Sequence, residues 1–141
     1  MGIIVAFYTE EFGRMTKTRS FHIGDVLSIT TGFLVSPRRM EGVYDILNFL
    51  TADDLFTHQL PRAAKECRPS ILEQFPQLRG VDASGLNVQS VPAFLKRQVS
   101  LFGEYLMVRR MSSDRHQRID PIQEAEQLIG KDRVIVVEKR D

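Results

Sequence analysis

Between Leu55 and Cys67, in "LFTHQLPRAAKEC", the chain places His58, Arg62, Glu66 and Cys67, its only cysteine, around Pro61. Two chemistries use such a set. A thiolate at Cys67 activated by His58 would be a nucleophile of the cysteine-hydrolase kind. Alternatively, His58 would serve as an acid/base while Arg62 holds an anionic substrate and Asp45 or Glu66 orients the imidazole. Each has a plainer counterpart. A lone cysteine after an Ala-rich helical turn is usually a small buried hydrophobe. A histidine and an arginine beside a helix break can satisfy freed backbone carbonyls, with Arg62 pairing to Asp53, Asp54 or Asp45.

Other chemistries fail on spacing. His22, His58 and His116 have no His or Cys partner within a helical turn, so no metal site is expected. "GVDASG" lacks the Lys-Ser/Thr of a phosphate-binding loop, and no G-x-S-x-G elbow occurs. The triplets "HIG", "HQL" and "HQR" are not the paired H-x-T/S elements of a two-histidine phosphoesterase. No cofactor is implied. Arg109, Arg110, Arg115 and Arg118 would form a local basic patch able to meet nucleic acid or an acidic surface if they shared a face. No aromatic residue interleaves their loop, which argues against stacking on single strands.

The elements that must position these residues can be read from pattern. "IIVAFY" (Ile3 to Tyr8) and "RVIVVEK" (Arg133 to Lys139) are β-branched strands. "EYLMVRR" (Glu104 to Arg110) is a third, and "SFHIG" (Ser20 to Gly24) a short fourth ended by Gly24-Asp25. A helix is expected from Ser36 as cap and Pro37 at its first position, burying Met40, Val43, Tyr44, Leu47 and Leu50. Thr51 ends it and caps a short successor carrying Asp53 and Asp54. Helices then restart after Pro61 and after Pro69, with Pro76 ending the last. Residues 81–90 read as a polar linker. A further helix follows Ser90 and Pro92, has Leu95, Val99 and Phe102 on one face, and stops at Gly103. "DPIQEAEQLIG" is a capped helix with Ile122, Ala125, Leu128 and Ile129 inward. Strand, helix and strand from Glu104 to Lys139 form a βαβ-like unit. The fold class is therefore α+β, with a small sheet from the terminal strands and a centre of short, proline-bent helices.

At 141 residues and 43% hydrophobic, the chain suits a single domain with its own core. Nineteen basic against eighteen acidic residues leave a formal charge of +1, too little for a global field toward DNA or an anionic membrane. One cysteine forbids an internal disulfide, which fits a reducing cytoplasm. The opening apolar run, of about six residues, is too short for a signal-peptide core or a membrane span. Met15 is a second candidate start, which would make residues 1–14 dispensable.

At "FHIGDVLSITTGFLVSP", "GVYDILNFLTADDLFTHQLPRA" and "EQFPQL", from about Phe21 to Leu78, the sequence resembles a family of small, uncharacterised proteins encoded by bacteriophages and prophages. The resemblance implies an accessory protein acting in the bacterial cytoplasm and carries over no catalytic residue. In that setting the first expectation is stoichiometric binding to a host or defence protein, for instance inhibition of a nuclease complex. Tyr44, Phe56, His58 and Arg62 are the candidate partner-binding residues, since Arg and Tyr are enriched at interface hot spots. The alternatives are a small enzyme using His58 and a nucleic-acid-binding protein using Arg109 to Arg118.

Overall fold

A computed structural model describes residues 17–130. The architecture is α+β: a two-stranded antiparallel sheet and five α-helices. The strands expected at 3–8 and 133–139 lie outside the described residues, and with the latter the closing strand of the βαβ-like unit.

The sheet pairs β1 (Thr18–His22) with β2 (Tyr105–Arg109), in register from Thr18 opposite Arg109 to His22 opposite Tyr105. Side chains alternate across it. Phe21 and Val108 enter the core, whereas Tyr105 and Met107 are exposed. Gly24-Asp25 does not end the strand in a turn, as expected. Instead α1 (Ile23–Thr31) begins directly after His22, whose Nδ1 accepts the Gly24 N–H at 2.9 Å, while Asp25 in the first turn suits the helix dipole. Every residue from Ile23 to Ile29 is buried, so α1 is the central element, packed on by α2 (Met40–Thr51), α3 (Leu60–Gln74) and α4 (Val91–Phe102). It stops at Gly32, whose φ of 79° is left-handed.

Helix α2 starts at Met40, later than the Ser36-Pro37 signal suggests. The Ser36 hydroxyl donates to the buried Asp25 carboxylate and accepts the Arg38 N–H, so it forms a turn between α1 and α2 rather than a cap. Met40, expected inside, is exposed, while Ile46, Leu47, Phe49 and Leu50 carry the buried face. Ala52 ends α2 with φ 54°, and no helix follows Thr51. Residues 52–56 are irregular, and a single 3-10 turn (Thr57–Gln59) leads into α3.

The expected break at Pro69 does not occur. Helix α3 is one 15-residue element with Pro61 in its first turn and Pro69 inside it. A helix-interior proline costs about 3 kcal/mol. Here its ring points to solvent, and the stripe of Leu60, Ala63, Cys67, Ser70 and Ile71 buries continuously against the core. Burial of that stripe outweighs the lost backbone bond.

After a 3-10 turn (Pro76–Leu78), the segment 81–90 packs rather than spans: Ala83 is fully buried and Leu86 lies against the core. Asn87 and Ser90 exchange backbone-to-side-chain hydrogen bonds that set up α4, and Gly103 stops it at φ 94°. Helix α5 (Pro121–Ile129) is capped by Asp120, which accepts the Gln123 N–H. Its orientation overturns the expected one. Ile122, Leu128 and Ile129 are exposed, and the inward residue is Glu124. The cause is a polar docking surface, described next.

Candidate functional site

The Leu55–Cys67 stretch folds into the junction between α2 and α3, and the segment from Ser112 to α5 lies across it. His58 Nε2 donates to the Pro121 carbonyl at 2.7 Å. The Gln59 side chain accepts the Phe56 N–H and donates to the Ile119 carbonyl and to Glu124. Arg62 forks onto Glu124, with Nε and Nη2 each 2.8 Å from a carboxylate oxygen. Its Nη1 reaches Glu66 and the Gln117 carbonyl. Arg62 thus pairs with Glu124 and Glu66, not with Asp45, Asp53 or Asp54 as expected.

His116 completes the network. Its side chain is only 2% exposed and bridges two carboxylates, with Nε2 2.8 Å from Asp53 and Nδ1 2.6 Å from Glu66. Burial raises the Asp53 carboxyl, but hydrogen bonds from His116 and the Asp54 N–H, with the charges of Arg118 and His116, hold it below its ordinary value. For Glu124, the Arg62 hydrogen bond is the largest influence, and it holds the carboxyl down against burial. Buried polar groups of this density, with their partners in place, fix one arrangement of the chain.

The candidate acid/base and anion-holding groups are therefore engaged within the chain. His58 is bonded to a carbonyl and Arg62 to two carboxylates. Cys67 is fully buried, its thiol pushed up to about 12 by burial, and His58 is not bonded to it. A neutral, enclosed thiol is a poor nucleophile. Tyr44 is half-buried with its hydroxyl bonded to that of Thr57, and the half-buried Phe56 ring lies 6.1 Å from the His58 ring.

Three of the four arginines proposed for a basic patch also have internal partners. Arg110 stacks on Phe49 at 4.8 Å and donates to the Phe49 carbonyl. Arg115 pairs with Glu73, and Arg118 with Asp53 and the Ala52 carbonyl. Arg109 is exposed and its backbone is paired with the Gln74 side chain. No cluster of three or more His, Cys, Asp or Glu able to hold a metal occurs among the described residues. No helix among them is long and apolar enough to cross a membrane.

Two features escaped the sequence reading. One is a polar cluster around Asp25, whose carboxylate takes the Ser36 hydroxyl and, at 2.6 Å, the Arg38 guanidinium. Arg38 also reaches Asp45, which pairs with Arg19 as well. Against the burial that raises it, these two arginines hold Asp45 below the usual carboxylate range. Gly42 lies so close that a Cβ there would overlap the Ser36 hydroxyl and the Asp25 carboxylate.

The other is a groove of about 530 Å3 between the loop after α1 and the start of α4. Its walls include Phe33, Leu34, Val88, Val91 and Leu95. Phe33, Leu34 and Val88 are 46%, 45% and 70% exposed. A signal was present in "TGFLVSP": three consecutive apolar residues between a glycine and a proline, in a segment with no helical or strand period. Large apolar side chains gathered in a concave surface mark a binding site more often than scattered ones do.

Residues 21–81 match the domain family DUF7736, described as a domain of unknown function. The matched span contains β1's end through α3, the junction and one wall of the groove. No curated protein and no solved structure matches the chain.

Proposed function

We propose that this chain works by stoichiometric binding to another protein, and that the groove between residues 33–39 and the start of α4 is where the partner sits. The observation that supports the reading is the gathering of Phe33, Leu34 and Val88, all large, apolar and at least 45% exposed, around one concavity. Full burial of a side chain of this size from full exposure is worth about 1.5–3 kcal/mol, and here roughly half of it is left for a partner. The polar residues of the junction hold the scaffold, and the groove does the binding. The resemblance to phage-encoded proteins supplies the setting: a phage accessory protein in the bacterial cytoplasm, occupying a host or defence protein such as a nuclease complex.

The test is affinity capture from phage-host lysate with the tagged full chain, beside a Phe33→Ser/Leu34→Ser variant of unchanged circular dichroism. The captured protein is identified by mass spectrometry, purified and titrated against the chain. A saturable complex of fixed stoichiometry that the variant fails to form is the expected result. A partner bound equally by the variant would place the interface elsewhere, and no saturable complex would overturn the reading.

A further inference from the structure

Resting on that reading, we infer that the segment seated in the groove belongs to a protein that carries a carboxylate beside its apolar anchors, and that Arg39 receives it. Arg39 is the only charged one among the described residues that line the groove, and none of those opposes it with a carboxylate. Its neighbour Arg38 is engaged with Asp25 and Asp45 at 2.6 and 3.0 Å. The Arg39 guanidinium, by contrast, makes no hydrogen bond or ion pair among the described residues, although its backbone is held by Ser36, Gly42 and Val43.

The backbone of Arg39 makes this more than an idle surface charge. Its φ of 54° with ψ of −131° lies in a region that side-chain-bearing residues rarely adopt and glycine enters freely. The turn that joins α1 to α2 imposes the conformation: the Arg39 N–H donates to the Ser36 carbonyl, and the Arg39 carbonyl accepts from Gly42 and Val43. An arginine here strains the turn, and its side chain gives the fold no bond in return. Strain of this kind concentrates where a side chain serves a ligand. A lone guanidinium at an apolar groove suits a carboxylate fork, whereas a nucleic-acid backbone needs several cations in a row.

The geometry also supplies the test, because Arg39→Gly removes the guanidinium while relieving the backbone. Displayed random peptides of about twelve residues, a length that fills a groove of this kind, are selected on the immobilised full chain. The best binder and its carboxylate-to-amide variant are then titrated by fluorescence anisotropy against wild type, Arg39→Gly and Phe33→Ser.

Selected peptides are expected to pair large apolar residues with Asp or Glu. Arg39→Gly and the amide peptide should each bind about tenfold more weakly, with no further loss when combined, as for two partners of one contact. Arg39→Gly should melt at or above the wild-type temperature. If Arg39→Gly and the amide peptide bind as tightly as their parents while Phe33→Ser loses binding, the carboxylate inference falls and the groove stands. If no peptide is enriched, or Phe33→Ser binds normally, the groove reading falls and the inference with it.

Discussion

Glu124 sits on a helix whose large apolar residues face solvent, and it receives Nε and Nη2 of Arg62, a residue 62 positions earlier, at 2.8 Å each. This pair is the centre of the contacts that lay residues 112–129 across the junction of α2 and α3. Removing Arg62 leaves a carboxylate that is 7% exposed without its cation. Breaking a buried pair from one side costs about 3–5 kcal/mol, and the partial exposure of Arg62 brings the expected loss for Arg62→Ala to about 2–4 kcal/mol. Urea unfolding measures it. A change below about 0.5 kcal/mol, the range of ordinary surface substitutions, would remove the pair from the scaffold.

Acid should loosen the same surface and the cluster around Asp25. Asp45, Asp53 and Glu124 are all held below their ordinary values of 3.8, 3.8 and 4.5 in the folded chain. A depressed carboxyl contributes stability that is fully present above its unfolded value and is lost as pH falls through the folded one. These three groups therefore leave stability flat from neutral pH down to about pH 5 and withdraw it below about pH 4. Urea midpoints across that range test this in wild type and in Asp53→Asn/Glu124→Gln. An acid slope of equal steepness in the variant would assign the loss to other groups.

Gly42 is the position where a single methyl group should do most harm. It lies in α2, where alanine is favoured over glycine by about 1 kcal/mol. An added Cβ would nevertheless overlap the buried Ser36 hydroxyl and Asp25 carboxylate. Overpacking of this kind costs about 1–3 kcal/mol and also disturbs a satisfied polar pair, so Gly42→Ala should be net destabilising. A melting temperature equal to or above wild type would show that the turn between α1 and α2 yields to the methyl.

Cys67 should be inert while the chain is folded. It is fully buried, with its thiol pushed up to about 12 by burial and by the nearby Glu66 charge. At mildly alkaline pH a thiol-reactive disulfide reagent should find essentially no thiolate in the native protein and one equivalent in denaturant. Rapid stoichiometric labelling of the native chain would restore Cys67 as a candidate nucleophile.

The elements with a strong local period were legible in the sequence. Leu47 and Leu50 in α2, Val99 in α4 and Gly103 just after it, and the run that forms β2 take the roles their spacing implies. Contacts between distant residues were not. The partners of His116 lie 50 and 63 positions away, so a reading by spacing saw only an isolated histidine. Helix α5 shows the same limit in reverse. Its apolar stripe implies an inward face, yet a single buried carboxylate bonded to Arg62 and Gln59 sets the opposite rotation. Pro69 marks a helix end by local rule, and only the stripe that α3 buries explains why the helix continues. Of the candidate site, the stretch that folds into the junction was singled out, but the partners that occupy His58 and Arg62 were hidden. The groove needed the tertiary meeting of Phe33 and Leu34 with Val88 and α4.

The way α5 is docked has a thermal consequence. Its fastenings are ionic and carbonyl hydrogen bonds, while Ile122, Leu128 and Ile129 are already 41%, 61% and 53% exposed with it attached. Heat-capacity change on opening comes from newly wetted apolar surface, with polar surface contributing in the opposite sense. Detachment of this arm should therefore carry only a small heat-capacity increment, so its population would change with temperature through an enthalpy that varies little. Unfolding of the α1 core, by contrast, would show the curved temperature dependence of a hydrophobic interior.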